Sequence, residues 1–243
     1  GSRLGAIAKP LVPIAGRPLI SYTIDALERV GVRTIHAVMG AQSERLTTEI
    51  EPLLPASMRL RALVNRDWQK QNGVSVLCAE GKVEAPFFLA MGDHLFDPAI
   101  FEQLLREAQP ERLNLAIDRK IGSIFDLDDA MKVQVEGDRV VRIAKDLSAY
   151  NAIDTGLFLC PNELFVYLRR AQRDGDCSLA DGVRLMAADG KVQTIDIGSA
   201  WWQDVDTPGM YAQAEEHFRR ADQRPATAVA RANADTSASE LAS

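Results

Sequence analysis

Pro86-Phe87-Phe88-Leu89-Ala90-Met91-Gly92-Asp93-His94 is an apolar run that ends abruptly in a glycine and a carboxylate. Its residues 87–91 are continuous rather than alternating, the pattern of a strand covered on both faces. Asp97-Pro98 then supplies an N-cap and a first-turn proline for a helix over 99–109, and 113–117 reads as the next strand. Working back from the run, 34–39 and 59–64 read as strands, 41–54 as a helix closed by Pro55, and 74–83 as a helix. This rhythm predicts an α/β protein with a mostly parallel, Rossmann-like sheet flanked by helices.

From about residue 119 the texture changes. Residues 131–135, 140–143 and 152–160 look like strands with short turns, Gly137-Asp138 between the first two, and predict an antiparallel extension. Helices are expected over 161–172 and 179–188, a strand over 192–197, and a last helix from Thr207-Pro208 to about 220. Residues 1–220 are expected to form the working domain. Residues 221–243, rich in Ala, Ser, Thr and Asn without an apolar period, are expected to be a disordered tail.

Of 243 residues, 47% are hydrophobic and 26% charged, the balance of an ordinary globular enzyme. A net charge of −6 argues against a broad nucleic-acid face, yet leaves room for a local basic pocket. No apolar run approaches the roughly 18 residues that read as a membrane-spanning helix. Cys78, Cys160 and Cys177 have no metal-ligand spacing and sit among apolar residues, so they read as reduced core thiols of a cytoplasmic protein.

Three pieces carry chemistry. Arg3 and Lys9 flank Gly5 on an opening loop where glycine lets backbone N–H groups approach an anion. A loop of this kind normally follows a strand, and none precedes Gly1. Either Gly1-Ser2 is an added scar or residues lie upstream, and the loop's continuation through Arg3 and Lys9 favours the second. Asp93 falls at the C-terminal end of a strand, the edge at which open α/β sheets bind ligands. With Asp97 already capping the next helix, Asp93 is a metal-ligand candidate, and His94 beside it is given to packing or to supporting that ligand. Near the C-terminus, Trp201-Trp202-Gln203-Asp204-Val205-Asp206-Thr207 offers two more carboxylates. Thr207 can cap the last helix with Asp206 favouring its positive end, which leaves Asp204 the freer ligand. Trp201 and Trp202 read as walls of the core. The Gln71-Asn72-Gly73-Val74-Ser75 loop could read a nucleobase edge or simply begin a helix. Lys132 and Lys145 could clamp a phosphate or be surface lysines.

Taken together, GSRLG…KPLV, MGDH and DVDT resemble the sugar-phosphate nucleotidyltransferase superfamily, whose fold is GT-A-like. More closely, QNGVSVL, AMGDHLF, DDAMKV, IAKDL, AIDTGLF and WWQDVDT are similar to the CTP:inositol-1-phosphate cytidylyltransferases, in the same order over about residues 1–215. The resemblance implies that Arg3 and Lys9 face the phosphates and that Asp93 and Asp204 hold Mg²⁺. It gives Gln71, Asn72, Gly73 and Ser75 to the nucleotide, and Lys132, Lys145 and Asp154 to the inositol phosphate. The implied reaction moves a cytidylyl group from CTP to inositol-1-phosphate, giving CDP-inositol and pyrophosphate. In that family the domain is often fused to a membrane-embedded CDP-alcohol phosphotransferase, which here would act as a separate downstream partner. Rival readings are activation of a hexose-1-phosphate or phosphocholine with UTP or CTP, a nucleotide-sugar glycosyltransferase using Asp204-Val205-Asp206, and a silent nucleotide-sensing subunit.

Overall fold

The computed structural model describes residues 8–222. The chain enters through a short 3-10 turn, Lys9–Leu11, and a two-residue hairpin, Pro13–Ile14 with Arg17–Pro18. Helix Leu19–Arg29 follows, an element the sequence reading did not anticipate. Its buried Leu19, Ile24, Ala26 and Leu27 recur at helical spacing, and its start is marked by Pro18 in extended conformation.

Strands Thr34–Met39 and Arg59–Val64 pair in parallel, in register from Thr34 with Arg59 to Met39 with Val64. The crossover between them is shorter than the expected helix over 41–54. It is helical over Ser43–Ile50 and then tightens into a 3-10 turn, Glu51–Leu53, where Pro52 has no N–H to continue an α-helix. The helix expected over 74–83 is likewise only Asn72–Leu77, with turns running on to Gly81 at φ +69°.

The main sheet has the order Phe87–Ala90, Ala152–Cys160, Leu113–Asp118, Val192–Asp196, Arg139–Ala144, Lys132–Glu136. Leu113–Asp118 and Val192–Asp196 are parallel neighbours. Ala152–Cys160 is antiparallel to both Phe87–Ala90 and Leu113–Asp118, so those two run in the same direction with a reversed strand between them. The α/β class and the antiparallel extension are as the sequence implies. The extension, however, contributes a central strand of the sheet rather than an appendage. Consecutive residues on that strand serve opposite faces. Phe158 packs with Leu115, Leu164 and Leu168, under the helices Glu163–Ala171 and Leu179–Ala188. Leu157 packs with Ala116, Phe101 and Ile24, under Pro98–Glu107 and Leu19–Arg29.

A second small ladder pairs His94–Phe96 with Trp202–Asp204, with Asp204 opposite His94. It places the Gly92-Asp93 turn beside the C-terminal acidic segment, and the Val205 N–H donates to the Asp93 carbonyl at 2.9 Å. Strands Thr34–Met39 and Phe87–Ala90 also wall a cavity of about 1070 Å³, which reaches Pro10, Gly40, Ser75 and Gly92. Among the described residues no helix is long and apolar enough to cross a membrane. Helix Pro208–Asp222 ends the described chain, and most of the tail expected over 221–243 lies outside the described residues.

Gly73 shows how closely the elements meet. A Cβ there would lie 2.6 Å from the Cys177 carbonyl oxygen and 2.8 Å from the Ser178 carbonyl carbon. Both are backbone atoms with little freedom to retreat, so Gly73→Ala should cost about 1–3 kcal/mol. Gly122, whose Cβ would meet nothing within 4 Å, is the control and should change stability by less than about 0.5 kcal/mol. Urea melts of the two variants check this, and equal midpoints would contradict the close packing.

Candidate active site

The Lys9 ammonium lies between two carboxylates. It donates to Asp93 Oδ2 at 3.2 Å and makes a shorter contact with Asp206 Oδ1. Lys9 comes from the opening turn, Asp93 from the turn after the outermost strand Phe87–Ala90, and Asp206 from the segment before the last helix. Burial opposes the lysine's charge, but its bonds to Asp206 and Asp93 outweigh that and hold it above the ordinary lysine range. Asp93 is also bonded on its other side, by His94 Nδ1 to Oδ1 at 2.8 Å. Burial pushes the Asp93 carboxyl up, yet His94 and Lys9 more than reverse this and hold it well below the usual carboxylate range.

Asp206 was expected at the start of the last helix, an end that Thr207 caps: the Met210 N–H donates to Thr207 Oγ1 at 3.3 Å and the Tyr211 N–H to the Thr207 carbonyl at 3.0 Å. Asp206 turns instead to Lys9. Nothing local announces that contact, since Lys9 lies 197 residues away. Asp204 stands behind, on the strand facing His94. Burial raises its pKa, His94 pulls it back, and Asp206 and Asp93 add to the rise.

Asp154 also joins this edge. Its Oδ1 accepts the Gly156 N–H at 2.7 Å, burial pushes its pKa up to about 6, and that bond and His94 restrain the rise. The two lysines expected beside it do not meet it as expected. Lys132 is buried, and its Nζ donates to the Lys145 carbonyl at 2.7 Å. Lys145 is exposed and pairs with Asp129 at 2.6 Å. Both are occupied within the extension.

The Gln71–Ser75 loop is likewise engaged by the protein. The Gln71 N–H donates to Asp176 Oδ1 at 3.0 Å, and Asn72 Oδ1 accepts the Leu179 N–H at 2.8 Å. Ser75 Oγ accepts from Asn65 Nδ2 at 2.9 Å. Asn72 and Ser75 still line the cavity that reaches Gly92, whereas Gly73 is packed on Cys177 and Ser178. Arg3 lies outside the described residues. Trp202 walls the site, its ring stacked on His94 at 5.9 Å between centroids.

Among the described residues no three His, Cys, Asp or Glu side chains converge to hold a metal unaided. A divalent cation bound together with a nucleotide needs less, because phosphate oxygens and water complete its shell. The ammonium between Asp93 and Asp206 stands in for such a cation: both groups are hard oxygen donors already gathered around one positive charge. The donor set therefore fits a divalent metal.

Residues 1–175 match the MobA-like NTP transferase domain. The chain belongs to that family. The family generally uses a divalent metal. Among relatives, the bifunctional IPC transferase and DIPP synthase of Rubrobacter xylanophilus is 32% identical over 210 residues, covering 86% of this chain and 47% of the relative. The protein of the same name from Thermococcus kodakarensis is 31% identical, with 86% and 46% covered. The chain thus spans about half the length of these relatives. The inositol-1-phosphate CTP transferase from T. maritima shares the fold, with a TM-score of 0.76, 24% identity, and 87% of this chain and 89% of that one covered.

Removing the stand-in cation isolates its role. Lys9→Met leaves Asp93 and Asp206 facing each other, which should cost about 1–2 kcal/mol after allowance for solvent screening, a fall in Tm of roughly 3–6 °C in EDTA. Millimolar Mg²⁺ should recover most of that fall. A loss of the same size with and without the metal would show that the two carboxylates do not form a cation site.

Proposed function

We propose that the chain transfers the cytidylyl group of CTP to inositol-1-phosphate, forming CDP-inositol and releasing pyrophosphate. The observation that carries the reading is the convergence of Lys9, Asp93 and Asp206 at the turn after strand Phe87–Ala90. Substrate choice rests on the names of the relatives and on the motifs from Gln71 to Asp154.

Asp93 and Asp206 are the carboxylates that would hold Mg²⁺, with Asp204 adding negative potential from behind. When bound, the metal neutralises and aligns the triphosphate oxygens. Lys9 supplies fixed positive charge at the phosphates, with Arg3 expected beside it. A phosphate oxygen of inositol-1-phosphate attacks the α-phosphorus of CTP, and the bond to the bridging oxygen of the departing pyrophosphate breaks. The attacking monoester has a second pKa of about 6, so it is mostly a dianion at neutral pH and needs no general base. This suits a site in which His94 is already bonded to a carboxylate. Catalysis reduces to alignment and charge neutralisation.

Asn72 and Ser75 line the cavity and are assigned to the nucleotide. Asp154, whose Oδ1 is held by the Gly156 N–H, is assigned to the inositol hydroxyls. The roles given to Lys132 and Lys145 would require both to leave their present partners. The three thiols are free, as a reducing compartment such as the cytoplasm would keep them. A CDP-alcohol phosphotransferase is the reaction we place downstream, in line with the double name of the relatives.

Pyrophosphate release should be fastest with CTP and inositol-1-phosphate among CTP and UTP crossed with inositol-1-phosphate, glucose-1-phosphate and phosphocholine. CTP should lead UTP by about ten- to a hundredfold, the consequence of one mispaired buried polar group. Asp93→Asn and Asp206→Asn should each lower kcat by about a hundredfold or more, and Asp204→Asn by less. A different winning pair would overturn the substrate assignment. Near-normal kcat in Asp93→Asn or Asp206→Asn would overturn the metal assignment.

A further inference from the structure

The two oxygens of the Asp93 carboxylate have different partners. Oδ2 faces Lys9 at 3.2 Å, and Oδ1 faces His94 Nδ1 at 2.8 Å. An ionised carboxylate only accepts, so the hydrogen on this bond belongs to Nδ1. The imidazole is itself held in a fitted slot. It lies against Phe96 and Trp202, each with ring centroids 5.9 Å away and planes within 27° and 20° of its own. Its open side is closed by Gly156, where a Cβ would come within 3.0 Å of His94 Cδ2 and Nε2. Gly156 has φ +78° at a bulge of the central strand, so only glycine both adopts this backbone and leaves room for the ring.

The slot is braced from the opposite side of Trp202. Its Nε1–H donates to Asp118 Oδ2 at 3.0 Å, and Asp118 Oδ1 accepts from the Lys120 ammonium at 2.9 Å and the Lys120 N–H at 2.7 Å. Asp118 is buried at the end of its strand. A continuous relay of contacts therefore runs from Lys120 through Asp118, Trp202 and His94 to the outer oxygen of Asp93.

We propose that His94 is a positioning residue for the cation site: its Nδ1–H fixes the Asp93 carboxylate so that Oδ2 is presented to the metal. The inference rests on Asp93 being a metal ligand. Groups that orient metal ligands by hydrogen bonding typically change affinity by about 10–100-fold when lost.

The test is the affinity for Mn²⁺ presented with a non-hydrolysable CTP analogue, read by water-proton relaxation enhancement, in four proteins: wild type, His94→Asn, His94→Gln and Asp93→Asn. The Asn amide can place an N–H near the Nδ1 position, whereas the Gln amide reaches the Nε2 position and cannot meet Oδ1. His94→Asn should bind within about threefold of wild type, and His94→Gln about tenfold or more weaker. A merely structural role for the ring would weaken both alike or leave both unchanged, and either result overturns the proposal. Asp93→Asn separates the two levels: undiminished Mn²⁺ binding there would remove Asp93 as a ligand, and this inference with it.

Discussion

Four carboxylates, those of Asp93, Asp154, Asp204 and Asp206, lie within electrostatic reach of one another or of His94 at one edge of the sheet. Like charges gathered in a partly buried place repel strongly, and each neighbour that is ionised makes the next harder to ionise. The described basic groups among them are Lys9 and His94, the latter's pKa held above its ordinary range because Asp93, Asp204 and Asp154 outweigh the burial that opposes its charge. Burial first, and then Asp206 and Asp93, push the Asp204 carboxyl upward. A divalent ion held by Asp93 and Asp206 would relieve that crowding.

The fold accepts this concentration of charge because it delivers each group from a rigid element. Asp93 follows a strand that is hydrogen-bonded to Ala152–Cys160, and the same strand carries Asp154 and, two residues on, the glycine that seats His94. The pairing of His94–Phe96 with Trp202–Asp204 carries the acidic C-terminal segment to the same edge. With both faces of the sheet covered by helices, the strand ends are the places where a polar cluster can meet solvent without opening the core.

The run ending in Gly92-Asp93 announced the strand and the carboxylate after it, because continuous hydrophobicity followed by a glycine is a local signal, although Phe87–Ala90 lies at the sheet's end and is half-buried rather than covered on both faces. Helix Leu179–Ala188 has the bounds expected for it, and the structure shows its start held by Ser178 and Asp181 bonded reciprocally. Strand order was not readable. Nothing local in 152–160 says that it inserts between 87–90 and 113–118, since that depends on contacts far apart in sequence. The contact of Asp206 with Lys9 was not readable, because a helix-end role is a local explanation and Lys9 lies 197 residues away. Lys132, expected to be either a surface lysine or a clamp on the substrate phosphate, is buried and donates to the Lys145 carbonyl, a partner that nothing local in 131–135 announces.

The central claim is that Asp93 and Asp206, bridged by the Lys9 ammonium, form one cation site. A crystal structure with Mn²⁺ and CTP, read by the anomalous signal of the metal, tests it most directly. The account predicts one peak within about 2.0–2.3 Å of an oxygen of each carboxylate, with the Lys9 ammonium moved onto a phosphate oxygen. A peak bound elsewhere, with Lys9 still between Asp93 and Asp206, would contradict it.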